Sequence, residues 1–280
     1  MSKIIVTHFN PDLDALAAVW LLKRFFPSWK EAELKFIPPG KYLIDDQPVD
    51  SNPDVFYVDT GQGKFDHHQT NDFICAASLV WDFIKEETGK KEDEAIKRLI
   101  EIVNQVDHAY DLTWPEVEND RYELMLHMVL EGFKRVGGEE ETSQRIIDFG
   151  MKALDGALKI LQEKVKAEEE LRDGQEFKTR WGKAIALETR NDGVLFLGEK
   201  KGYCLVARLD IKNGHLKIYA RWDEKVDLTK AHEEFKKRDP KPKWFLHVSK
   251  AILMNGTLSQ PDYQPTKLSL NEIIEILKKA

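Results

Sequence analysis

The chain has 280 residues, enough for two domains that each bury a core of their own. Its net charge of −7 argues against binding long duplex nucleic acid through counterion release. No apolar stretch approaches the ~20 residues of a membrane span, and Met1-Ser2-Lys3-Ile4 shows no signal-peptide pattern, so we expect a cytoplasmic protein with no membrane partner.

The first predicted elements are a strand and a helix with polar side chains between them. Residues 3–6 predict a strand, and Asn10-Pro11 predicts a helix cap with proline in the first turn. The helix should end at Phe26-Pro27, because proline disfavours helix in the residue before it. Its buried face should be Leu13, Leu16, Ala17, Trp20 and Leu21. The turn then carries His8, Asp12 and Asp14, although a capped turn with a surface histidine is the alternative.

A second polar cluster follows the predicted strand at residues 55–58. Asp59 comes directly after that strand, and Asp66-His67-His68 follows within one short segment. Side chains at the carboxyl ends of parallel strands lie at one edge of a sheet, so Asp59 should approach the first cluster. Asp107 ends a predicted helix at residues 95–106, where a carboxylate opposes the helix dipole and indicates a nearby cation. That helix should bury Ile96, Leu99, Ile100 and Val103.

These clusters predict a two-metal site. Carboxylates mixed with imidazoles suit Mn²⁺, Mg²⁺ or Co²⁺ better than a thiolate-rich zinc site. We expect no cysteine near the cluster, and we expect Cys75 and Cys204 to be buried thiols without a disulfide. The alternatives are a polar turn at Asp66-His67-His68 and a solvated carboxylate at Asp107.

The same residues resemble a known family. In order, His8-x-x-x-Asp12-x-Asp14, Asp59, Asp66-His67-His68 and Asp107 resemble motifs I to IV of the DHH phosphoesterase superfamily. That superfamily includes RecJ-type exonucleases, nano-RNase oligoribonucleases, cyclic-dinucleotide phosphodiesterases and manganese pyrophosphatases. Val58-Asp59-Thr60-Gly61 and Phe65-Asp66-His67-His68-Gln69 also resemble the MYG family, a DHH-like group described as exonucleases.

The resemblance implies two sets of metal ligands that share Asp59. The sets are His8, Asp12 and Asp59 for one ion, and Asp14, Asp59, His67 and Asp107 for the other. It also implies that His68 faces the substrate phosphate and that Asp66 orients an imidazole. The implied cofactors are two divalent ions, Mn²⁺ first, which would activate water for hydrolysis of a phosphodiester without a covalent intermediate.

Three functions remain open at this point. The preferred one is a phosphodiesterase, a hydrolase acting as a nuclease on short single-stranded oligonucleotides or on nucleotides. The second is a manganese-type inorganic pyrophosphatase with the same ligands, and the third is a metal- or nucleotide-binding regulator without turnover. The sequence leaves open the cleavage polarity, the physiological metal and the oligomeric state, including a homodimer.

The remaining chain predicts a connector and a second domain. Glu139–Glu170 reads as one long helix with an apolar stripe formed by Ile146, Ile147, Met151, Leu154, Leu158, Leu161 and Val165. The later predicted strands are residues 184–188, 194–197, 203–211 and 215–222, with Lys212-Asn213-Gly214 as a tight turn. Ser269-Leu270-Asn271-Glu272 predicts a capping box that opens a terminal helix.

Substrate contacts are harder to predict, because the Gly-Gly-Gly-His motif of most DHH hydrolases is absent from the sequence. The candidates are Arg208, Arg221, His247, Asn255 and Gly256, with the arginines as phosphate clamps. The alternative is that the arginines are surface residues and His247 is structural. Base stacking and simple core packing are both open for Trp114, Trp181, Trp222 and Trp244. His108 could approach the metals or could only brace its loop, and we do not count it among the ligands.

The predicted architecture is therefore α/β with three parts. Residues 1–138 would form a DHH-like catalytic domain with a mostly parallel sheet, residues 139–175 a helical connector, and residues 176–280 a smaller α+β substrate-binding domain. Net charges of −14 over residues 1–175 and +7 over residues 176–280 would suit an acidic metal-binding half and a basic phosphate-binding half. The alternative is that the net charges of the two halves reflect only their solvated surfaces.

Overall fold

The computed structural model describes residues 3–38 and 47–280. Met1-Ser2, part of the predicted entry into the first strand, lies outside them. The chain forms two compact units, Met1–Leu161 and Gln162–Ala280, so the division falls within the predicted connector. Each unit combines one sheet with helices, which confirms the α/β class.

The first unit is built on three strands that are all parallel, in the order β2-β1-β3. Its strands are β1 (Ile4–His8), β2 (Glu33–Ile37) and β3 (Val55–Tyr57). Its helices are α1 (Leu13–Phe25), α2 (Ala76–Thr88), α3 (Glu94–Asp107), α4 (Leu126–Lys134) and the beginning of α5 (Glu139–Glu170). Both predicted strands, the predicted helix at residues 95–106 and the long helix are thereby confirmed.

The start of α1 differs from the prediction. Asp12 is the N-cap, and its Oδ1 accepts hydrogen bonds from the backbone N–H groups of Asp14 and Ala15, both at 3.0 Å. Asn10 instead adopts a left-handed backbone (φ 54°), and its N–H donates to Ser143 Oγ at 2.8 Å. The predicted Asn10 cap is wrong because a second good cap follows two residues later and Asn10 is held outside the helix by α5.

Helix α1 is buried on more than the predicted face. The five predicted positions are buried, and so are Asp14, Ala15, Ala18, Val19 and Leu22. The helix packs against α2, α3 and α4. Helix α5 also approaches it closely, because a Cβ added to Gly150 would lie 2.2 Å from Leu16 Cδ2. Trp20 Nε1 donates to Asp155 Oδ1 at 2.8 Å, which ties the two helices a second time.

The second unit is built on a six-stranded mixed sheet in the order β4-β5-β6-β7-β9-β8, in which only β5 and β6 are parallel neighbours. Its strands are β4 (Gln175–Thr179), β5 (Gly182–Glu188), β6 (Leu205–Asp210), β7 (His215–Ala220), β8 (Phe245–Leu246) and β9 (Ile252–Met254). Its helices are α6 (Gly193–Lys200), α7 (Thr229–Arg238) and α8 (Leu270–Lys279). The sheet and helices enclose a separate apolar core.

The predicted strand at residues 194–197 is wrong, because these residues belong to α6. Thr189 Oγ1 and Asn191 Oδ1 accept hydrogen bonds from the backbone two residues on, and these turns direct the chain into a helix. Val194 and Leu197 are buried while Phe196 is exposed. A four-residue apolar run does not distinguish the two structures by periodicity alone.

Other local predictions are confirmed. Asp210 accepts hydrogen bonds from the N–H groups of Lys212 and Asn213, and Gly214 takes a positive φ of 56°, so the β6–β7 turn forms where expected. Ser269 and Glu272 form the predicted capping box of α8. Cys75 and Cys204 are free and buried. Over residues 3–38 and 47–280, no helix has both the length and the apolar character to cross a membrane.

Candidate metal centre

The six predicted ligands converge because the elements that carry them end at one edge of the first sheet. His8 ends β1, and Asp59 follows the neighbouring parallel strand β3 by two residues. Asp12 and Asp14 open α1, which follows β1 directly. The remaining two are His67, on the loop before α2, and Asp107, the last residue of α3.

One candidate group consists of His8, Asp12 and Asp59, each of which offers a ligand atom within 4.8 Å of the others. His8 Nε2 lies 3.3 Å from Asp59 Oδ2, and His8 Nδ1 lies 2.9 Å from the carbonyl oxygen of Phe9. A proton on Nδ1 would be donated to that carbonyl, which leaves the Nε2 lone pair directed at the cluster. This is the usual orientation of a metal-binding histidine.

A second group surrounds His67. Its Nε2 lies 3.4 Å from Asp59 Oδ1, 3.5 Å from Asp107 Oδ2 and 3.7 Å from Asp14 Oδ2. Among the described residues, both His67 Nε2 and Asp59 Oδ1 are buried without a hydrogen-bond partner. Buried polar atoms are normally paired, so these two indicate a ligand between them. Asp59 belongs to both groups, as the proposed bridging ligand should.

Asp14 has a structural role as well. It is 1% exposed, and its two oxygens accept hydrogen bonds from the N–H groups of Ala76 (2.7 Å) and Ala77 (2.8 Å) in the first turn of α2. A carboxylate at a helix N-terminus is stabilised by the helix dipole and by unpaired N–H groups. Asp14 therefore links the start of α1 to the start of α2 beside the cluster.

The electrostatics of the cluster are those of carboxylates that need a cation. Burial and the charge of Asp59 raise the pKa of Asp12, and they raise that of Asp14 further. Burial also raises the pKa of Asp107. Burial alone would raise the pKa of Asp59, but the neighbouring imidazoles of His67 and His8 outweigh it, and the pKa is lowered.

Both imidazoles respond to the same charges. The approach of Asp59 is the largest cause for His67, and its pKa rises to about 9. For His8, burial acts to lower the pKa, but Asp59, Asp12 and the carbonyl of Phe9 together raise it to about 9. Without metal, the two rings would be protonated at neutral pH and would partly neutralise the carboxylates.

Asp66, which was expected to orient an imidazole, pairs with the ring of His68. His68 Nδ1 lies 2.7 Å from Asp66 Oδ1, and the other Asp66 oxygen accepts a hydrogen bond from Gln62 N–H at 2.6 Å. Asp66 is buried, whereas the His68 side chain is 62% exposed. His68 therefore has a fixed ring orientation and a largely exposed side chain, and it forms a further candidate metal-binding group with Asp59 and His67.

Two further residues lie beside the cluster. His108 forms another candidate group with His67 and Asp107, although its Nδ1 also lies 3.0 Å from the carbonyl oxygen of Asn104, as expected of a loop brace. Cys75 lies beside Asp14, so the expectation that no cysteine is near is wrong. Burial raises the pKa of the Cys75 thiol and keeps it protonated, which disfavours thiolate ligation.

The five predicted substrate residues in the second unit are not all brought together. Arg208 Nη1 lies 3.4 Å from the carbonyl oxygen of His215, the residue whose Nε2 contacts Gly256, whereas Arg221 and His247 make other contacts. Arg208 lies on β6 opposite Lys217 of β7, whereas Arg221 follows β7 and its N–H donates to the carbonyl of Cys204. Four residues of strand separate these levels, which is about 13 Å. The two guanidinium groups pair with different carboxylates, Asp192 and Asp223.

Arg208 is 2% exposed, which excludes the surface-residue alternative for it. Its guanidinium pairs with Asp192, which also pairs with Lys217, and its Nε is buried without a partner among the described residues. Arg221 pairs with Asp223 near the surface, and His247 is exposed with its Nδ1 2.8 Å from Ser249 Oγ.

Asn255 and Gly256 hold the β6–β7 turn in place. Asn255 is buried, accepts a hydrogen bond from Leu216 N–H at 2.9 Å and donates to the Gly214 carbonyl at 2.8 Å. The carbonyl of Gly256 lies 3.0 Å from His215 Nε2. These contacts give both residues a structural role. Of the four tryptophans considered for stacking, Trp244 is buried, Trp114 and Trp181 are half-buried and Trp222 is exposed.

The donor set fits divalent ions with a preference for oxygen. It combines carboxylates and imidazoles, and the orphaned His67 Nε2 and Asp59 Oδ1 lie at its centre. The described part of the chain therefore contains candidate metal-binding groups built from the predicted residues. Compared with known proteins, the chain matches no protein-family model and no curated sequence.

Proposed function

We propose that the protein is a two-metal-dependent phosphodiesterase that hydrolyses short single-stranded oligonucleotides or nucleotides. The observation that carries the proposal is the arrangement around Asp59, whose two oxygens face the imidazoles of His8 and His67 in two adjacent ligand groups. The resemblance of these residues to the DHH phosphoesterases supports the same reaction. Mn²⁺ is the ion that we propose for both positions.

Bound divalent ions would supply an activated water and charge stabilisation for a phosphoryl group. The chain's own residues supply the rest. Asp59 would hold the two ligand groups at a common point, and the bond from His8 to the carbonyl of Phe9 would keep its Nε2 free for ligation. Asp66 would hold the ring of His68 in a fixed orientation facing the substrate phosphate.

The proposed domain layout goes with this function. Residues 1–138 would carry the catalytic site, residues 139–175 the connector and residues 176–280 the substrate-binding part. Among the predicted substrate residues, Arg208 retains the best support, because Arg208 and Lys217 share the single, half-exposed carboxylate of Asp192. A phosphate that replaced this carboxylate would meet two cations.

The test is Mn²⁺-dependent hydrolysis of end-labelled RNA of two to five nucleotides, with pyrophosphate as the competing substrate. We expect His67→Ala to lose metal and activity, and His68→Ala to keep metal but lose activity. His232→Ala, a half-buried histidine of the second unit that contacts the Trp244 carbonyl, is the control and should keep both.

Other outcomes would redirect the proposal. Rapid release of phosphate from pyrophosphate with intact RNA would favour an inorganic pyrophosphatase. Metal binding with neither reaction would favour a regulator that does not turn over substrate. Equal activity of His67→Ala and the unchanged protein would contradict the site itself.

A further inference from the structure

A cluster of exposed aromatic rings adjoins the metal centre. Phe73, on the loop before α2, is 47% exposed, and Tyr110, in the short turn after α3, is 54% exposed. Their ring centroids are 5.0 Å apart in an edge-to-face arrangement. Neither residue was singled out from the sequence, because they are separated along the chain and neither belongs to a motif.

The two rings are continuous with the candidate ligands. Phe73 lies 4.6 Å from the ring of His108, and His108 lies 6.0 Å from the ring of His67. His67 in turn lies 4.5 Å from His68. A row of rings thus leads from the candidate metal-binding imidazoles to an exposed apolar surface.

Asn104 fixes this surface to the helix that carries Asp107. Its side-chain amide donates to the Phe73 carbonyl at 3.0 Å, and its own carbonyl lies 3.0 Å from His108 Nδ1. Ala109, between His108 and Tyr110, takes a left-handed backbone (φ 55°), which turns the chain between the two rings. The rings are therefore held by α3 although they remain accessible to solvent.

The geometry points to one occupant for these rings: we propose that Phe73 and Tyr110 stack against the nucleobase next to the phosphate held at the metal centre. The inference rests on the proposed phosphodiesterase function and names its substrate as a base-bearing nucleotide. An acidic half of net charge −14 offers a phosphate little attraction except through bound cations, whereas a neutral, flat base can stack on exposed rings. Such stacking tolerates every base.

The experiment compares a dinucleotide with the same molecule lacking the base, using metal-loaded protein. We expect Phe73→Ala to raise KM for the dinucleotide roughly 5- to 150-fold with little change in kcat, the range that corresponds to one stacked base. The abasic compound should be hydrolysed equally by both proteins. Phe73→Trp should restore the low KM for the dinucleotide. Tyr110→Phe should leave this KM unchanged, whereas Tyr110→Ala should raise it.

Phe196→Ala is the matched control. Phe196 is 57% exposed and makes an edge-to-face contact with Tyr219 at 5.8 Å, so it repeats the local geometry of Phe73 in the second unit. An equal loss on both substrates in Phe73→Ala would mean that the ring positions the loop and would overturn the inference. An unchanged KM for the dinucleotide in that variant would overturn it too.

A binding measurement separates this inference from the proposed function. A dinucleotide that contains 2-aminopurine should lose fluorescence when its base stacks on the protein, whether or not it is cleaved. Quenching that depends on Phe73, in a protein that hydrolyses neither substrate, would support base stacking on Phe73 and Tyr110 and contradict the phosphodiesterase function. Hydrolysis without such quenching would contradict the base stacking alone.

Discussion

Asp12 and Asp14 stand two residues apart, but their carboxylates are used differently. Asp12 caps its own helix through one oxygen, Oδ1. Asp14 uses both oxygens to hold the first turn of α2. Burial and the charge of Asp59 raise the pKa of both side chains, so the ionised form of each is destabilised in the absence of a cation. Amide substitutions should therefore separate metal binding from folding at the two positions.

We expect Asp12→Asn to abolish binding at the His8 group while leaving the metal-free free energy of unfolding unchanged or up to about 1 kcal/mol higher. Asparagine is as good an N-cap as aspartate, and the change removes a buried like charge. Asp14→Asn should lower the unfolding free energy by about 1–2 kcal/mol, because one N–H of α2 loses its acceptor while relief of repulsion offsets part of that loss.

Urea unfolding in chelator, together with metal content by mass spectrometry, would measure both effects. Equal destabilisation by Asp12→Asn and Asp14→Asn would show that Asp14 does not anchor α2. Retention of two ions by Asp12→Asn would show that Asp12 is a cap and not a ligand.

At the scale of elements, the packing of α5 on α1 determines where the ligands lie. α1 carries Asp12 and Asp14 at its start, and Gly150 allows α5 to come close to Leu16 one turn further on. Gly156, also in α5, has no atom within 4 Å of an added Cβ among the described residues. The helix therefore contains two glycines with opposite structural requirements.

Gly150→Ala should lower the free energy of unfolding by about 1–3 kcal/mol, because the added methyl group overlaps the fully buried Leu16. It should also weaken metal binding by displacing α1. Gly156→Ala should raise the unfolding free energy by about 0.5–1 kcal/mol, since alanine is the better helix former and the space is open. Denaturant unfolding of the two variants checks this, and a Gly150→Ala protein as stable as Gly156→Ala would contradict the close approach.

Sequence pattern predicted the elements whose signal is local and long. The apolar stripe predicted α5, and polar residues placed after strands predicted that His8, Asp12, Asp14 and Asp59 would cluster. The full set of six ligands was implied by the resemblance to the DHH phosphoesterases. The two wrong predictions, the Asn10 cap and the strand at residues 194–197, depend on contacts between elements. Ser143 accepts a hydrogen bond from the N–H of Asn10 outside the helix, and Val206 of β6 packs against Gly198 of α6. The contact of Phe73 with Tyr110 and the burial of Arg208 likewise depend on elements distant in sequence.

At the scale of the whole molecule, the two units should respond differently to metal. All candidate metal-binding groups found in the described residues belong to Met1–Leu161, and Gln162–Ala280 has its own core around β6 and β7. A ligand that binds only the folded form stabilises the part that binds it. The coupling also involves protons, because His8 and His67 must be neutral to bind metal.

Mn²⁺ at 100 times its dissociation constant should stabilise the first unit by ~2.7 kcal/mol, or ~5–10 °C in its unfolding temperature, with little effect on the second. Since the pKa values of His8 and His67 are raised to about 9, their protonation stabilises the metal-free fold below pH ~6.5, and this contribution is lost as the pH rises through 9. Metal must displace the same protons, so its stabilising effect should grow over that interval. Calorimetry with Mn²⁺ and with chelator at pH 6 and pH 8.5 measures both trends. A Mn²⁺ shift that is larger at pH 6 would contradict imidazole ligation, because protons and metal then would not compete for the same nitrogen atoms.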